Sequence, residues 1–288
     1  MASVERMRPL LGTFVTIRAQ PRSAVTQVQV EEAVESAFRA MARVDRLMSF
    51  HQSTSDVSRI NRCRPGGHVR VHSWTHGVLR AAAELSVSTG GDFDCNVGGP
   101  LMRAKLLPKA NGRPGGRPGG RTKSNHRTFH VALAVRRDRT VRLRTALALD
   151  LGGIAKGFAV DKAVQILKAR GMAAGTVNAG GDLRVFGSEP QAVWIRDPAA
   201  PGQTRLIGSL TEGAIATSAA YFTAELRTDR DQESAIVDRN RRRVDMAGSV
   251  SVAARTCMLA DALTKVAVLR GRIPARVARR ADASIVAL

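Results

Sequence analysis

The sequence predicts a mixed fold in which helices and strands share one aliphatic core, and three observations carry that expectation. Apolar residues recur with helical spacing at Val30, Ala33, Val34, Ala37, Phe38, Met41, Val44 and Met48, which marks a long core-facing helix. β-Branched alternation at Phe14-Val-Thr-Ile-Arg-Ala and at Ser249-Val-Ser-Val-Ala-Ala marks strands. The 288 residues are 44% hydrophobic but only 4% aromatic, so Ala, Val, Leu and Ile must fill the interior. That length suits one large domain or two ordinary ones.

Taken in order, the turn Leu11-Gly12-Thr13 precedes the strand at 14–19, which Pro21 ends, and Ser23 can cap the long helix. The polar segment 48–62 offers two further caps, Ser53 and Ser55, and carries His51, either a satisfied loop histidine, the commoner fate, or a ligand contact. A second helix should run from Ser73 to about Ser88, stopped by Gly90-Gly91. Asp92 to Leu101 is too rich in turn residues for a regular element. Its carboxylates Asp92 and Asp94 either accept from a ligand's hydroxyls or cap the local backbone. Residues 108–127 contain the repeat Gly-Arg-Pro-Gly-Gly-Arg-Pro-Gly-Gly-Arg, which can bury nothing and reads as a disordered basic loop. A hairpin should follow, from Phe129 to Val135 and from Val141 to Arg144 about a turn at Asp138-Arg139.

The stretch 146–168 is the most informative. Ala146 to Leu149 read as a buried strand that Asp150 and Gly152-Gly153 break, and from Ile154 the apolar positions Ile154, Phe158, Ala159, Ala163, Ile166 and Leu167 are helical, with Gly171 as the stop. Backbone N–H groups at such a helix start suit a phosphate, with Lys156 and Asp161 close by. The glycines equally suit a tight joint between packed elements, and at this point both readings stand. The spacing is neither a P-loop nor a Gly-x-Gly-x-x-Gly fingerprint. Strand, glycine pair and acid recur at Asn178, Gly180, Gly181 and Asp182, so this turn is expected at the same ligand, ahead of a strand at Val193 to Arg196. Ala214 begins a strand that enters a hydroxyl-bearing turn near Tyr221, and the strand at 249–254 leads into a helix from Thr256. Asp261 and Lys265 lie one turn apart on that helix, and its apolar character places Asp261 in the interior or at a site.

The net charge is +21, and eight of the Lys and Arg residues fall between 103 and 127 with no acid among them. Arg239, Arg241, Arg242 and Arg243 form a second cluster, and residues 270–280 a third. With one Tyr and no basic helical stripe, nucleic acid is a minor reading, and the excess is taken mainly as solubility with some attraction for phosphates. Cys63, Cys95 and Cys257 have no metal-ligand spacing and suit reduced thiols. No signal segment or apolar span is recognisable, so the expectation is a cytoplasmic protein without a membrane anchor.

Together, Leu-Leu-Gly-Thr-Phe-Val (10–15), Ser-Asp-Val-Ser-Arg-Ile-Asn-Arg (55–62), Gly-Asp-Phe-Asp (91–94), Asp-Leu-Gly-Gly-Ile-Ala-Lys-Gly-Phe-Ala-Val-Asp (150–161), Asn-Ala-Gly-Gly-Asp-Leu-Arg-Val (178–185), Ala-Thr-Ser (216–218) and Ala-Asp-Ala-Leu (260–263) resemble the ApbE family, the FAD:protein FMN transferases, over nearly the whole chain. The resemblance implies an α+β fold related to the T-fold, with mixed sheets packed against helices, as one unit over 1–288 that carries the basic loop. It implies magnesium-dependent cleavage of FAD between its phosphates, with FMN passing to a Thr or Ser hydroxyl of an acceptor flavoprotein and AMP leaving. Carried over by that resemblance, Leu11, His51, Asp92, Phe93, Asp94, Gly152, Lys156, Asn178, Gly180, Gly181 and Asp182 line the FAD site. Ala155, through its carbonyl, and Asp261 would hold Mg2+, and Asp261 and Lys265 would be catalytic. The chain departs from the family pattern in three places. Lys265 stands where many members have Thr, Ala235-Ile-Val-Asp-Arg239 replaces His-Ile-Ile-Asp-Pro, and Phe93-Asp-Cys-Asn96 replaces Phe-Asp-x-Thr. An ammonium beside Mg2+ would be repelled unless it takes over part of the metal's charge. The alternative function is therefore an FAD-binding protein with lost or reduced transfer.

Overall fold

A computed structural model describes residues 3–108, 127–197, 200, 202–219, 233–246 and 248–286. All but the two end residues of the predicted basic loop, and the turn near Tyr221, lie outside the described residues. In chain order the elements are β1 (Val4–Leu10), β2 (Thr13–Pro21), α1 (Gln27–Met48), α2 (Asp56–Arg62), β3 (His68–Arg70), α3 (Ser73–Ser88), α4 (Gly98–Arg103), α5 (Phe129–Ala132), β4 (Leu133–Val135) and β5 (Thr140–Leu143). They continue with α6 (Ala155–Ala169), β6 (Met172–Ala179), β7 (Asp182–Phe186), β8 (Gln191–Arg196), β9 (Thr204–Leu210), β10 (Gly213–Ala219), β11 (Glu233–Val237), β12 (Arg243–Asp245) and β13 (Ser249–Ala254). Helices α7 (Cys257–Arg270) and α8 (Ala275–Ala281) and strand β14 (Ser284–Val286) end the described chain.

Two compact units result, one of Met1–Asp45, Ile154–Ser234 and Asp245–Leu288, the other of Arg46–Gly153 and Ala235–Val244. The first is built on a seven-stranded sheet in the order β1-β2-β6-β7-β10-β13-β14. Every neighbouring pair in it is antiparallel. Helix α6 packs on β6 and β7, and α7 packs on β10, β13 and α6. Helix α1 is tied to β1 by the ion pairs Arg6–Glu31 and Arg8–Glu35, and its predicted apolar stripe is buried throughout. Its cap is Thr26 rather than the expected Ser23. The Gln29 side chain accepts from Thr26 N at 2.9 Å and Thr26 Oγ1 accepts from Gln29 N at 3.4 Å, a reciprocal capping box that starts the helix three residues later.

Both hairpins beside this sheet's centre close through two-residue turns with left-handed backbone, which match the twist of the flanking strands. In β1–β2 the turn is Leu11 (φ 58°) and Gly12 (φ 73°), and in β6–β7 it is Gly180 (φ 57°) and Gly181 (φ 94°). Because β2 pairs with β6, the two turns share one end of the sheet. A Cβ on Gly180 would stand 2.4 Å from Thr13 Oγ1, so that position needs glycine for space as well as for φ.

The second unit holds α2 to α5 and the three-stranded sheet β3-β5-β4, and most of the β11–β12 ribbon belongs to it. Helix α3 has the predicted bounds, and Ser55, not Ser53, caps α2. Phe129–Ala132 is one helical turn rather than strand, and α4 was not foreseen. The strand expected at 146–149 is absent. Its extended backbone is satisfied by side chains instead, since Asn61 receives Leu149 N at 2.7 Å and donates to Leu149 O at 2.9 Å, and Asn96 Oδ1 accepts from Ala148 N at 3.0 Å. An apolar segment with Leu147 and Leu149 buried therefore looks like a strand in sequence while lacking a strand partner.

Candidate functional site

The chemistry-bearing groups of the first unit collect where α6 begins. Ile154 is its N-cap but supplies no side-chain bond, so the first turn looks elsewhere for an acceptor. It finds Asp261 of α7, whose Oδ2 accepts from Gly157 N at 3.1 Å. The reverse exchange also occurs, because Asp161 of α6 accepts from Cys257 N at 3.0 Å and Met258 N at 2.9 Å, where α7 begins. Each helix thus caps the other with a carboxylate placed in the favourable field of the partner's N-terminus. Gly157 makes the exchange possible. A Cβ there would lie 2.3 Å from Cys257 O and 2.6 Å from Cys257 C, so only glycine lets the helix starts meet.

Four charged side chains surround this joint. Lys156 Nζ lies 3.4 Å from Asp182 Oδ2, at the first residue of β7, and Lys265 Nζ contacts Asp261 Oδ1 directly and Asp261 O at 2.9 Å. The carboxylates are buried, with side-chain exposures of 2% for Asp182 and 1% for Asp261. The lysine side chains are partly exposed, at 29% for Lys156 and 24% for Lys265. Burial and then the Asp261 charge push Asp182 up to about 7, with Lys156 and Lys265 opposing. Burial alone would lower Lys156, but the charges of Asp182 and Asp261 outweigh it and raise its pKa. Beneath them burial, then Asp182, Asp161 and Asp261, hold the Cys257 thiol well above its ordinary range. Hydroxyls continue the network, with Ser218 Oγ 2.7 Å from Thr264 Oγ1, which donates to Asp261 O at 2.8 Å, and Thr217 Oγ1 2.7 Å from Ser251 Oγ.

Of the positions expected from sequence, Ala155, Lys156, Asp182, Asp261 and Lys265 gather here, and Asn178, Gly180 and Gly181 form the turn leading into Asp182. Asn178 Oδ1 accepts from Gly181 N at 3.1 Å, which fixes that turn. Leu11 occupies the neighbouring turn. His51, Asp92, Phe93, Asp94 and Gly152 belong to the second unit. There Asp94 Oδ1 accepts from Asn96 N at 2.9 Å and Phe129 N at 2.8 Å, the backbone-capping alternative, and burial raises its pKa despite these donors. Asp92 pairs with Arg239 at 2.5 Å, and Arg241 lies 3.9 Å from Asp94, so two arginines of the second basic cluster serve these acids. Phe93 is buried and His51 is exposed. Sequence reasoning passed over Gly157, Asp161 as a cap, and the Ser218–Thr264 pair. Gly157 was legible as a glycine on the inner face of a helix, whereas the pairing of β10 with α7 side chains was not.

The groups at Asp261 do not fit a divalent cation. Both carboxylate oxygens already have donors, one of them an ammonium, and the Asp261 carbonyl accepts from Thr264 and Lys265. Among the described residues no group of three or more His, Cys, Asp or Glu side chains is placed to hold a metal.

A model of the ApbE family matches residues 11–286. The chain belongs to the ApbE family. Among ApbE relatives, the FAD:protein FMN transferase of Treponema pallidum is 26% identical over 234 residues, covering 75% of this chain and 64% of that protein. The match therefore spans slightly less than two thirds of that relative's length. The FAD:protein FMN transferase of Vibrio cholerae is 27% identical over 280 residues, covering 88% of this chain and 78% of that protein. The ApbE protein of Thermotoga maritima superposes with a TM-score of 0.77 at 27% identity, over 93% of this chain and 87% of that one. The Vibrio cholerae flavin transferase ApbE superposes with a TM-score of 0.74 at 23% identity, over 99% and 92%. The expected α+β architecture is that of these ApbE structures. Among the described residues no helix is long and apolar enough to cross a membrane.

Proposed function

We propose that this ApbE chain transfers FMN from FAD to a hydroxyl of an acceptor protein, with release of AMP. The observation that carries the reading is the pair of partly exposed lysines at the α6–α7 joint, Lys156 in the first turn of α6 and Lys265 on α7, in a chain that a family model matches over 11–286. A diphosphate cleaved between its phosphorus atoms needs its spreading negative charge met by fixed donors. Here two ammonium groups and a helix start supply them. In the transfer, the acceptor oxygen bonds to the phosphorus of the FMN half, the bond from that phosphorus to the bridging oxygen breaks so that AMP leaves with that oxygen, and the hydroxyl proton passes to the departing AMP phosphate or to solvent. FAD enters as substrate. Leu11, Asn178, Gly180, Gly181 and Asp182 of the first unit are read as its surroundings, while Asp94 of the second unit is read as a turn former.

The acceptor is read as a flavoprotein bearing a Thr or Ser attachment residue. No disulfide joins Cys63, Cys95 and Cys257, which suits a reducing compartment and supports reading the reaction as cytoplasmic. The divalent metal implied at Ala155 and Asp261 forms no part of this reading, because Lys265 stands on the carboxylate it would need. The purified chain should release AMP from FAD, slowly when water replaces the acceptor hydroxyl. With a Thr- or Ser-bearing acceptor, the acceptor mass should rise by FMN less one water. FAD that stays intact under both conditions would end the transferase reading.

A further inference from the structure

We infer that Lys265 is the resident cation of this site, and that the chain binds the diphosphate of FAD through the Lys265 and Lys156 ammoniums without a divalent metal. The inference rests on the FAD reading above for the identity of the ligand, and on the geometry for the rest. The Asp261 carboxylate is sealed from solvent at 1% exposure, and each oxygen already has a donor, Gly157 N on one and Lys265 on the other. Lys265 is grafted on the same helix one turn later, so its ammonium is present at that carboxylate at high effective concentration. Any divalent cation arriving there would have to displace it and then remain beside it.

The second pair has the same polarity. Asp182 is buried, its Oδ2 has no hydrogen bond of adequate geometry, and the ion pair with Lys156 at 3.4 Å is what compensates its charge. The two carboxylates are sealed from solvent and the two lysine side chains are partly exposed, so the lysines are the accessible part of the cluster. An approaching dianion meets the amines first, while the carboxylates keep both amines in place and charged. The raised pKa of Lys156 agrees with this arrangement but is not needed for it. A diphosphate bridging the two amines would also offer Lys156 the second oxygen partner that Asp182 alone does not provide. Lysine acts here as a compact point charge, the role that a metal would otherwise fill.

The test is FAD binding by the full chain, measured calorimetrically in excess EDTA and again in excess Mg2+. The expected result is the same Kd in both, with Lys265→Met weakening the EDTA value by about tenfold or more, as removal of a charge-assisted bond implies. Lys265→Thr, which swaps the ammonium for a neutral oxygen, should bind FAD tightly only when Mg2+ is added. Lys265→Arg, which keeps charge and stem, should retain binding in EDTA and serves if the Met variant does not fold. Wild-type binding that appears only with Mg2+ overturns the inference and leaves the transferase reading standing. So does a folded Lys265→Met chain that binds as well as wild type in EDTA. If FAD fails to bind under both conditions the transferase reading falls, and inorganic pyrophosphate then becomes the probe. Lysine-dependent pyrophosphate binding in EDTA would sustain the cation site, and its absence would remove that too.

Discussion

Two glycines in helices separate space from propensity at the level of single residues. Gly157 is met by the backbone of Cys257 at 2.3 Å, whereas Gly77, in the exposed middle of α3, has nothing within 4 Å. Ala is the better helix former by roughly 1 kcal/mol, so Gly77→Ala should stabilise the chain by about that amount. Gly157→Ala should instead lose about 1–3 kcal/mol, because backbone cannot yield as a flexible side chain would and the α6–α7 joint must open. Thermal melts of the two variants should move in opposite directions, and a stabilised Gly157→Ala would mean the joint is looser than described. Cysteine reactivity gives a second check. Cys95 and Cys257 are buried and the Cys257 thiol is raised by burial and its acidic neighbours, while Cys63 is partly exposed. Alkylation of the native protein near neutral pH should label Cys63 alone, and all three cysteines only after unfolding.

Secondary elements owe their ends to side chains as much as to periodicity. The stripe of α1, the bounds of α3 and the strand β13 follow from apolar spacing and glycine stops, all local signals, and so were legible in the sequence. The start of α1 at Thr26, the helical turn at Phe129 and the non-strand at 146–149 depend on partners that spacing does not show. Leu149 is the clearest case, since its fully buried N–H and C=O both end on Asn61, 88 residues earlier. Asn61→Ala should therefore strand two buried backbone groups at about 1–3 kcal/mol each, a loss readable by urea unfolding. A change below half a kcal/mol would show that water replaces the side chain. The same long-range dependence explains the candidate site. Motif spacing brought out Lys156, Asp182, Asp261 and Lys265 one by one, but the crossing of α6 and α7 that pairs them rests on Gly157, which sequence reasoning passed over. The replacement of Pro by Arg at position 239 looked like a departure from the family and proves to supply the partner of Asp92.

At the scale of the molecule, charge and ligand meet. The net +21 is not spread over the site, where two lysines and two aspartates cancel, and two arginines near 240 face acids of their own unit. What remains at α6 is a pair of partly exposed lysines against buried carboxylates, an arrangement costly to the free protein because desolvation of two carboxylates is only partly offset by their partners. A ligand that supplies anionic oxygen to those amines recovers part of that cost and, by mass action, stabilises the unit that binds it. At a free concentration of about one hundred times Kd the gain is roughly 2.7 kcal/mol. For a unit of this size that corresponds to a rise in melting temperature of roughly 5–10 °C. Calorimetric scans with FAD should show the rise in EDTA as well as in Mg2+, and Lys156→Met should reduce that rise by weakening the anion contact, while also lowering the unliganded melt because buried Asp182 loses its compensating charge. AMP alone, with one phosphate, should raise the melting temperature less than FAD at equal concentration. If AMP matched FAD, the amines would be reading a single phosphate and the diphosphate would not be the group they recognise.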